Sequence, residues 1–312
     1  MPLHPTIAKF LADLPAPPPG PLNLEAMRAG DESHVPPMEK RLPVHSVADM
    51  VLSTADGAVP VRVYKPTAEE THPVLVYFHG GAFFLGSLNT HDHVARELAN
   101  ATGCAVVSVG YRLAPEHAFP AGLNDCYAVV RWIAEHGREP DSGIGWNGKT
   151  LAVAGDSSGA NFAAAVAAMA LDNGLNGITH QVLYYPSLDL DFDIDRYESL
   201  RTNAAGYGLE TGLLKPFNAF YLGSGADPAD PRVSPIKRED LSGLPPALIV
   251  TAEFDPLRDE GQLYGAKLTE AGVPAKVRRY EAAGHGFVQH FSWLPEFHGV
   301  FAETAEFLRG QE

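Results

Sequence analysis

The chain of 312 residues has little cysteine and little positive charge. Its two cysteines, Cys104 and Cys126, lie in apolar runs without C-x-x-C spacing, which predicts free thiols in a reducing compartment, the cytoplasm. Only 23 lysines and arginines stand against 38 aspartates and glutamates, a formal net charge of -15. Because this charge repels polyanions, we expect neither nucleic acid nor an anionic membrane surface as a partner.

Long hydrophobic runs and nucleotide-binding loops are also missing. No apolar run reaches the roughly 18 residues of a membrane-spanning helix, and no signal-peptide pattern marks the first residues, so neither membrane spanning nor secretion is predicted. There is no Gly-x-Gly-x-x-Gly and no P-loop. His91 and His93 would point away from each other on a helix, so no metal site is predicted. The expected class is an acidic enzyme that acts on a small molecule without metal or cofactor.

Apolar runs typical of strands alternate with helix-length segments along most of the chain. Nearly continuous apolar strands separated by helices indicate a mostly parallel sheet with helices on both faces, so we predict one α/β domain over residues 1–312. A hairpin is expected at residues 51–64, around Asp56-Gly57. Further strands are predicted at residues 74–78, 105–109, 151–154, 182–185, 247–252 and 276–280, and helices at residues 91–101, 121–136, 158–172, 260–271 and 296–308.

Two segments depart from this alternation. The first 45 or so residues contain two short amphipathic helices around a proline-rich piece at residues 15–21, and residues 188–235 are rich in aspartate, glycine and aromatics without a clear buried strand. We predict that these segments form a cap over the carboxyl edge of the sheet, with Tyr207 and Leu209 near the reacting groups. An ordinary surface excursion is the alternative for the second segment.

The stretch Leu151 to Ala160 carries the most specific chemical signal. An apolar run ends in Gly155-Asp-Ser-Ser-Gly159 and a helical pattern follows at once. The two glycines permit a sharp strand-to-helix turn, which would expose the hydroxyl of Ser157 as a nucleophile. A frame centred on Ser158 lacks both glycines, so Ser158 is predicted to contribute only its backbone amide.

A reactive serine needs a base and a group that orients the base. The strand at 247–252 is followed by Asp255, which Pro256 keeps out of the next helix, so Asp255 is the predicted acid; Glu253 and Asp259 are the alternatives.

The base is expected further along the chain, after the acid. His285 follows the last predicted strand and stands between two glycines, which makes it the predicted base. His290 and His298 are the alternatives.

Donors for the negative charge of a tetrahedral intermediate are expected in His79-Gly-Gly-Ala-Phe-Phe84. This segment follows the strand at 74–78, and its glycines let backbone amides approach a ligand closely. The amides of Gly80, Gly81, Ala82 and Ser158 are the predicted oxyanion hole. Phe83, Phe84 and Tyr185 are predicted to line the substrate pocket, although aromatic residues beside strands also serve as core.

Five motifs occur in one order from residue 79 onward: His79-Gly-Gly-Ala-Phe, Tyr111-Arg-Leu-Ala-Pro-Glu, Gly155-Asp-Ser-Ser-Gly, Asp255-Pro-Leu-Arg-Asp and His285-Gly-Phe. In these motifs the chain resembles the hormone-sensitive-lipase-like esterases, the bacterial family IV branch of the α/β hydrolases. The resemblance implies a capped α/β-hydrolase fold and a triad of Ser157, Asp255 and His285. Members of this family are often dimers, so a homodimer is the expected partner state. Ala82 stands where many members have glycine, and its methyl group narrows the approach for bulky alcohols.

The expected activity is hydrolysis of carboxylic esters with short to medium acyl chains through an acyl-enzyme. The compact, aspartate-containing cap segment without a long apolar surface motivates the chain length. Two alternatives remain. An amide, carbamate or lactone hydrolase would use the same triad, and a ligand-binding receptor on the same fold would be expected to lack a triad member.

Overall fold

The computed structural model describes residues 1–14 and 22–310. The predicted proline-rich piece at residues 15–21 lies outside the described residues, and so does that part of the predicted cap.

A sheet of eight strands forms the centre of the molecule, in the order β1-β2-β4-β3-β5-β6-β7-β8. The hairpin of β1 and β2 is antiparallel, β2 pairs antiparallel with β4, and all other neighbours are parallel, so the predicted mostly parallel sheet is confirmed. The strands are β1 Ser46–Thr54, β2 Gly57–Lys65, β3 His72–Phe78, β4 Ala105–Val109, β5 Trp146–Asp156, β6 Ile178–Tyr184, β7 Ala247–Phe254 and β8 Ala275–Gly284.

Helices cover both faces of this sheet, which divides the core into two large apolar clusters. The central strands β3 and β4 have almost no exposed side chain because each is covered on both faces, which explains their continuous apolar sequences. The helices are α1 Pro5–Asp13, α2 Leu24–Ser33, α3 Asp92–Thr102, α4 Ala121–His136, α5 Ser158–Asp172, α6 Ser199–Thr202, α7 Thr211–Tyr221, α8 Arg258–Glu270, α9 Phe287–His290 and α10 Pro295–Arg309.

The two predicted cap segments lie against the loops that follow the strands. In the first segment, His4 N–H donates to Ala282 O near the end of β8, and Phe10 packs edge-on against Phe291. The second segment contains α6 and α7, and Phe217 of α7 packs against Phe84, which follows β3. Both segments therefore reach the edge of the sheet at which the parallel strands end.

Candidate active site

Ser157 lies at a sharp turn between β5 and α5. Its φ of 54° and ψ of -118° are unfavourable for a residue with a side chain. The turn brings α5 very close to β3: a Cβ on Gly159 would collide with Phe78 O, and a Cβ on Gly155 would collide with Gly159 itself. Only glycine fits at both positions, and this close approach presents the Ser157 hydroxyl beyond the end of the sheet.

The three predicted triad side chains lie together. His285 Nε2 is 2.9 Å from Ser157 Oγ, and His285 Nδ1 is 2.8 Å from Asp255 Oδ2. The other carboxylate oxygen of Asp255 accepts from the Leu257 N–H at 2.9 Å, so the side chain is held in one orientation. Asp255 is fully buried, whereas the His285 side chain is 13% exposed and can meet a ligand.

The alternatives for acid and base have other partners. Glu253 pairs with Arg258 and Arg279, and Asp259 accepts from the Ser199 N–H. His298 lies 3.3 Å from Glu97 on the surface.

Tyr185 packs against the imidazole. Its ring meets the His285 ring edge-on at 4.9 Å between centroids, and its backbone has a strained φ of 35°. The ring is buried, and within the described part of the chain its hydroxyl has no hydrogen-bond partner. Tyr185 therefore packs against the imidazole from within the core, and its predicted role in substrate binding stays a prediction.

The loop of residues 79–84 runs alongside the serine turn and differs from the prediction at one amide. The Gly80 N–H donates to Asp156 Oδ1 at 2.8 Å, so this amide is directed at a carboxylate and the prediction of Gly80 as an oxyanion donor is wrong. In contrast, the amides of Gly81 and Ala82 have no acceptor among the described residues. Ser158 is the first residue of α5, where an amide lacks an intrahelical partner.

Two of the predicted substrate-binding aromatics belong to the core. The Phe83 side chain is 2% exposed and stacks on Tyr221 at 4.0 Å, and Phe84 is fully buried against Phe217 and Phe220. The prediction that they line the pocket is therefore wrong, because the 79–84 loop turns both rings inward. Their packing instead anchors the loop to α7.

The predicted cap residues are half-buried near the same edge. The Tyr207 ring packs against Phe254 at 4.9 Å, and the Tyr207 carbonyl approaches Gly284, the neighbour of His285. Leu209 belongs to a small separate cluster with Leu200 and Leu214. Tyr207 thus lies beside the histidine loop, and Leu209 lies within the cap segment.

Arg28 of α2 links the first cap segment to the 79–84 loop. Its guanidinium donates to Phe84 O, to Ala114 O and to both carboxylate oxygens of Glu116. Arg112 makes a similar pair with Asp125. The charged residues of the Tyr111-to-Glu116 motif therefore anchor loops, and the sequence offered no signal that Arg28 is the partner of Glu116.

A cavity of about 680 Å³ lies between the first cap segment and the residues that follow His285. Its lining contains apolar and aromatic side chains, among them Phe10, Phe291 and Trp293, together with Asp31 and Gln289. Asp31 accepts from the Gly86 N–H, which connects this wall with the end of the 79–84 loop. Ser157, Asp255 and His285 are not among the residues that line this cavity.

Two histidines near the site, His79 and His290, have a lowered pKa. Burial lowers the pKa of His79 to about 3 and the pKa of His290 to about 4, with repulsion from His91 adding to both shifts. Asp156 behaves differently. Burial alone would raise its pKa, but the neighbouring His91 and the hydrogen bond from Tyr77 hold the pKa at about 2. The site therefore keeps a carboxylate at Asp156 and neutral imidazoles at His79 and His290.

Across residues 1–14 and 22–310, histidine, cysteine, aspartate and glutamate side chains form no group of three that could hold a metal ion. Nor does any described helix combine the length and hydropathy needed to cross a lipid bilayer.

Comparison with known proteins places the chain in a family. A model of the α/β-hydrolase fold family matches residues 75–289, more than half of the chain. The chain therefore belongs to the α/β hydrolases. Within them it belongs to the hormone-sensitive-lipase-like esterases, as the five motifs indicated, so the predicted fold class and relationship are confirmed.

Individual relatives agree with this placement. The chain is 40% identical over 263 residues to the esterase LipI of Mycobacterium tuberculosis, covering 82% of this chain and 80% of LipI. It is 43% identical over 242 residues to the carboxylesterase NlhH of the same species, covering 76% of this chain and 73% of NlhH. The solved structure of a hyperthermophilic esterase from Pyrobaculum calidifontis is similar with a TM-score of 0.88 and 38% identity, over 99% of this chain and 98% of that one.

Proposed function

We propose that this protein is a serine carboxylic-ester hydrolase that works through an acyl-enzyme. The observation that carries the proposal is the continuous pair of hydrogen bonds from Ser157 through His285 to Asp255. Similarity to proteins named esterase and carboxylesterase supports the ester as the bond that is cleaved.

The geometry supports the following sequence of steps. Ser157 Oγ attacks the ester carbonyl carbon while His285 Nε2 takes the hydroxyl proton, and the carbonyl π electrons move onto oxygen. The tetrahedral intermediate then expels the alcohol, which receives that proton from His285. Water attacks the acyl-enzyme in the same way and releases the acid. Asp255 accepts a hydrogen bond from the Nδ1–H of His285, which leaves the lone pair of Nε2 free to act as the base.

The oxyanion is proposed to bind the amides of Gly81, Ala82 and Ser158. The first two have no other acceptor among the described residues, and Ser158 adds the free amide at the start of α5. Donors that are fixed before the reaction stabilise developing charge without reorganisation. The Ser158 hydroxyl is buried and is given no role in the reaction.

Labelling with an organophosphorus reagent followed by peptide mass spectrometry tests the assignment. We expect one label, on Ser157, and no label in Ser157→Ala. Ser158→Ala is the matched control because it removes a hydroxyl at the neighbouring position and keeps the amide, so its Ser157 should still be labelled. A label on Ser158, or one that persists in Ser157→Ala, contradicts the proposal.

Short to medium acyl chains are the proposed substrates, with the two cap segments as the lid of the site. Support comes from the small size of the apolar cluster to which the second segment contributes Tyr197, Leu200 and Leu214, with Leu257 from the loop after β7 as the fourth buried member. Turnover of p-nitrophenyl esters with increasing acyl length should pass through a maximum at short or medium length. Highest activity on long-chain triglycerides would contradict this proposal.

A homodimer in the cytoplasm is the proposed state of the protein. The outer strands β1 and β8 each have a single strand neighbour among the described residues, and Val51 and Val277 are exposed on them, so a second copy could pair there. Cys104 and Cys126 are buried free thiols, which suit a reducing compartment. Light scattering during size-exclusion chromatography tests the dimer, and cell fractionation tests the compartment.

A further inference from the structure

Asp156, the residue before Ser157, is buried where two loops meet. Its Oδ1 accepts hydrogen bonds from the Tyr77 hydroxyl at 2.6 Å and from the Gly80 N–H at 2.8 Å. His91 Nε2 lies 3.4 Å from the same oxygen. Asp156 and His91 are each 1% exposed and Tyr77 is fully buried. A carboxylate so remote from water depends on these neighbours, and they fix its position.

This contact joins two halves of the proposed reaction centre. Asp156 directly precedes the nucleophile Ser157 in the sequence, and Gly80 directly precedes the proposed oxyanion donors Gly81 and Ala82. The two segments are in close contact, because a Cβ on Gly80 would collide with the Asp156 carboxylate. One buried side chain therefore fixes the distance between the nucleophile and the amides that would bind the oxyanion.

We propose that Asp156 is a positioning residue which, with Tyr77 and His91, holds the 79–84 loop at its working distance from Ser157. The inference rests on the proposed function, because it concerns the oxyanion hole of that same site. Removal of one oxyanion donor costs about 10²–10³ in kcat in serine hydrolases. Displacement of the loop should therefore lower kcat and change KM little, since the donors act chiefly on the transition state.

Two substitutions at Asp156 separate the hydrogen bonds from mere packing. Asp156→Ala removes the acceptor, and we expect kcat for p-nitrophenyl butanoate to fall about 100-fold with KM within about threefold of the unchanged protein. Asp156→Asn keeps an oxygen where Oδ1 accepts both bonds, so it should recover kcat to within about tenfold. Equal loss of kcat in the two variants overturns the proposal.

A pair of tyrosines provides a control that does not require substitution of Asp156. Tyr77 and Tyr64 lie in the same core cluster, are both fully buried, and each donates its hydroxyl to a buried aspartate, Asp156 and Asp92 respectively. Tyr77→Phe and Tyr64→Phe thus remove the same chemical group from similar surroundings. Only the first hydrogen bond is connected to the 79–84 loop, so only Tyr77→Phe should lower kcat, by about three- to tenfold.

Melting temperatures and the activity of Ser157→Ala complete the experiment. Tyr77→Phe and Tyr64→Phe should lose similar thermal stability, and a kcat that follows stability equally in both overturns the positioning role. Retention of kcat within about threefold in Asp156→Ala overturns it as well. Failure of the proposed function would show differently, as absent ester hydrolysis in the unchanged protein or as full activity in Ser157→Ala.

Discussion

Backbone strain in single residues is concentrated at the candidate site. Four non-glycine residues among those described have a positive φ: Ala82, Phe83, Ser157 and Tyr185. They belong to three different loops, after β3, β5 and β6, and these loops meet around the Ser157 hydroxyl. Such conformations cost about 1–3 kcal/mol each and persist only where the surrounding packing determines them. The stacking of Phe83 on Tyr221 and the burial of Tyr185 provide that packing here.

Ala82 is the strained residue whose side chain is expected to affect substrate choice. Its φ is 50°, a value that glycine adopts freely, and it carries one of the proposed oxyanion amides. Ala82→Gly removes a methyl group beside that amide. We therefore expect kcat/KM for the ester of a tertiary alcohol to rise about tenfold relative to the ethyl ester of the same acid.

The ratio between the two esters is the measurement, so each protein serves as its own control. The melting temperature should move by no more than a few degrees, because relief of strain and loss of chain stiffness oppose each other. An equal change for both esters would show that the methyl group does not face the alcohol.

Among the elements, the contact between α5 and the end of β3 is the tightest in the site. Gly159 lies against the carbonyl groups of Phe78 and His79, and a Cβ there would collide with Phe78 O. Backbone atoms of a central strand cannot move aside without moving the serine turn. Gly159→Ala should therefore lower the free energy of unfolding by about 3 kcal/mol and reduce kcat severely.

Gly212 in α7 is the matched control for this substitution. A Cβ at Gly212 would have no atom within 4 Å, and the residue is exposed. Gly212→Ala should leave stability unchanged or raise it by about 0.5–1 kcal/mol, since alanine favours a helix. Urea denaturation of both variants checks the pair, and similar destabilisation of the two would contradict the close-contact explanation.

The limits of sequence prediction also follow from the elements. The bounds of β4, α4 and α5 coincide with the predictions, because long periodic or continuous apolar patterns suffice to define such elements. The helix α7 was not predicted, since it contains Gly212 and Pro216 and its packing against Phe84 lies far away in sequence. The hydrogen bond of the Gly80 amide was likewise not predicted, because its acceptor Asp156 lies 76 residues further along the chain.

For the whole molecule, buried histidines are expected to set the response to acid. Burial lowers the pKa of His79 to about 3 and the pKa values of His93 and His290 to about 4, from an ordinary value of 6.5. The unfolded chain therefore binds more protons than the folded protein between about pH 4 and 6.5. Stability is fully present above pH 6.5 and is lost as the pH falls, by about 1.4 kcal/mol per pH unit for each such histidine.

His93→Gln tests this response because glutamine can still donate to Gln289 O, the partner of His93 Nε2. Urea denaturation from pH 4.5 to 7.5 should give a slope of stability against pH that is lower by about 1 kcal/mol per pH unit than in the unchanged protein. The exposed His45 is the control, and His45→Gln should keep the original slope. Equal slopes in all three proteins would mean that His93 accepts its proton while the fold is intact, which would contradict its contribution to the acid response.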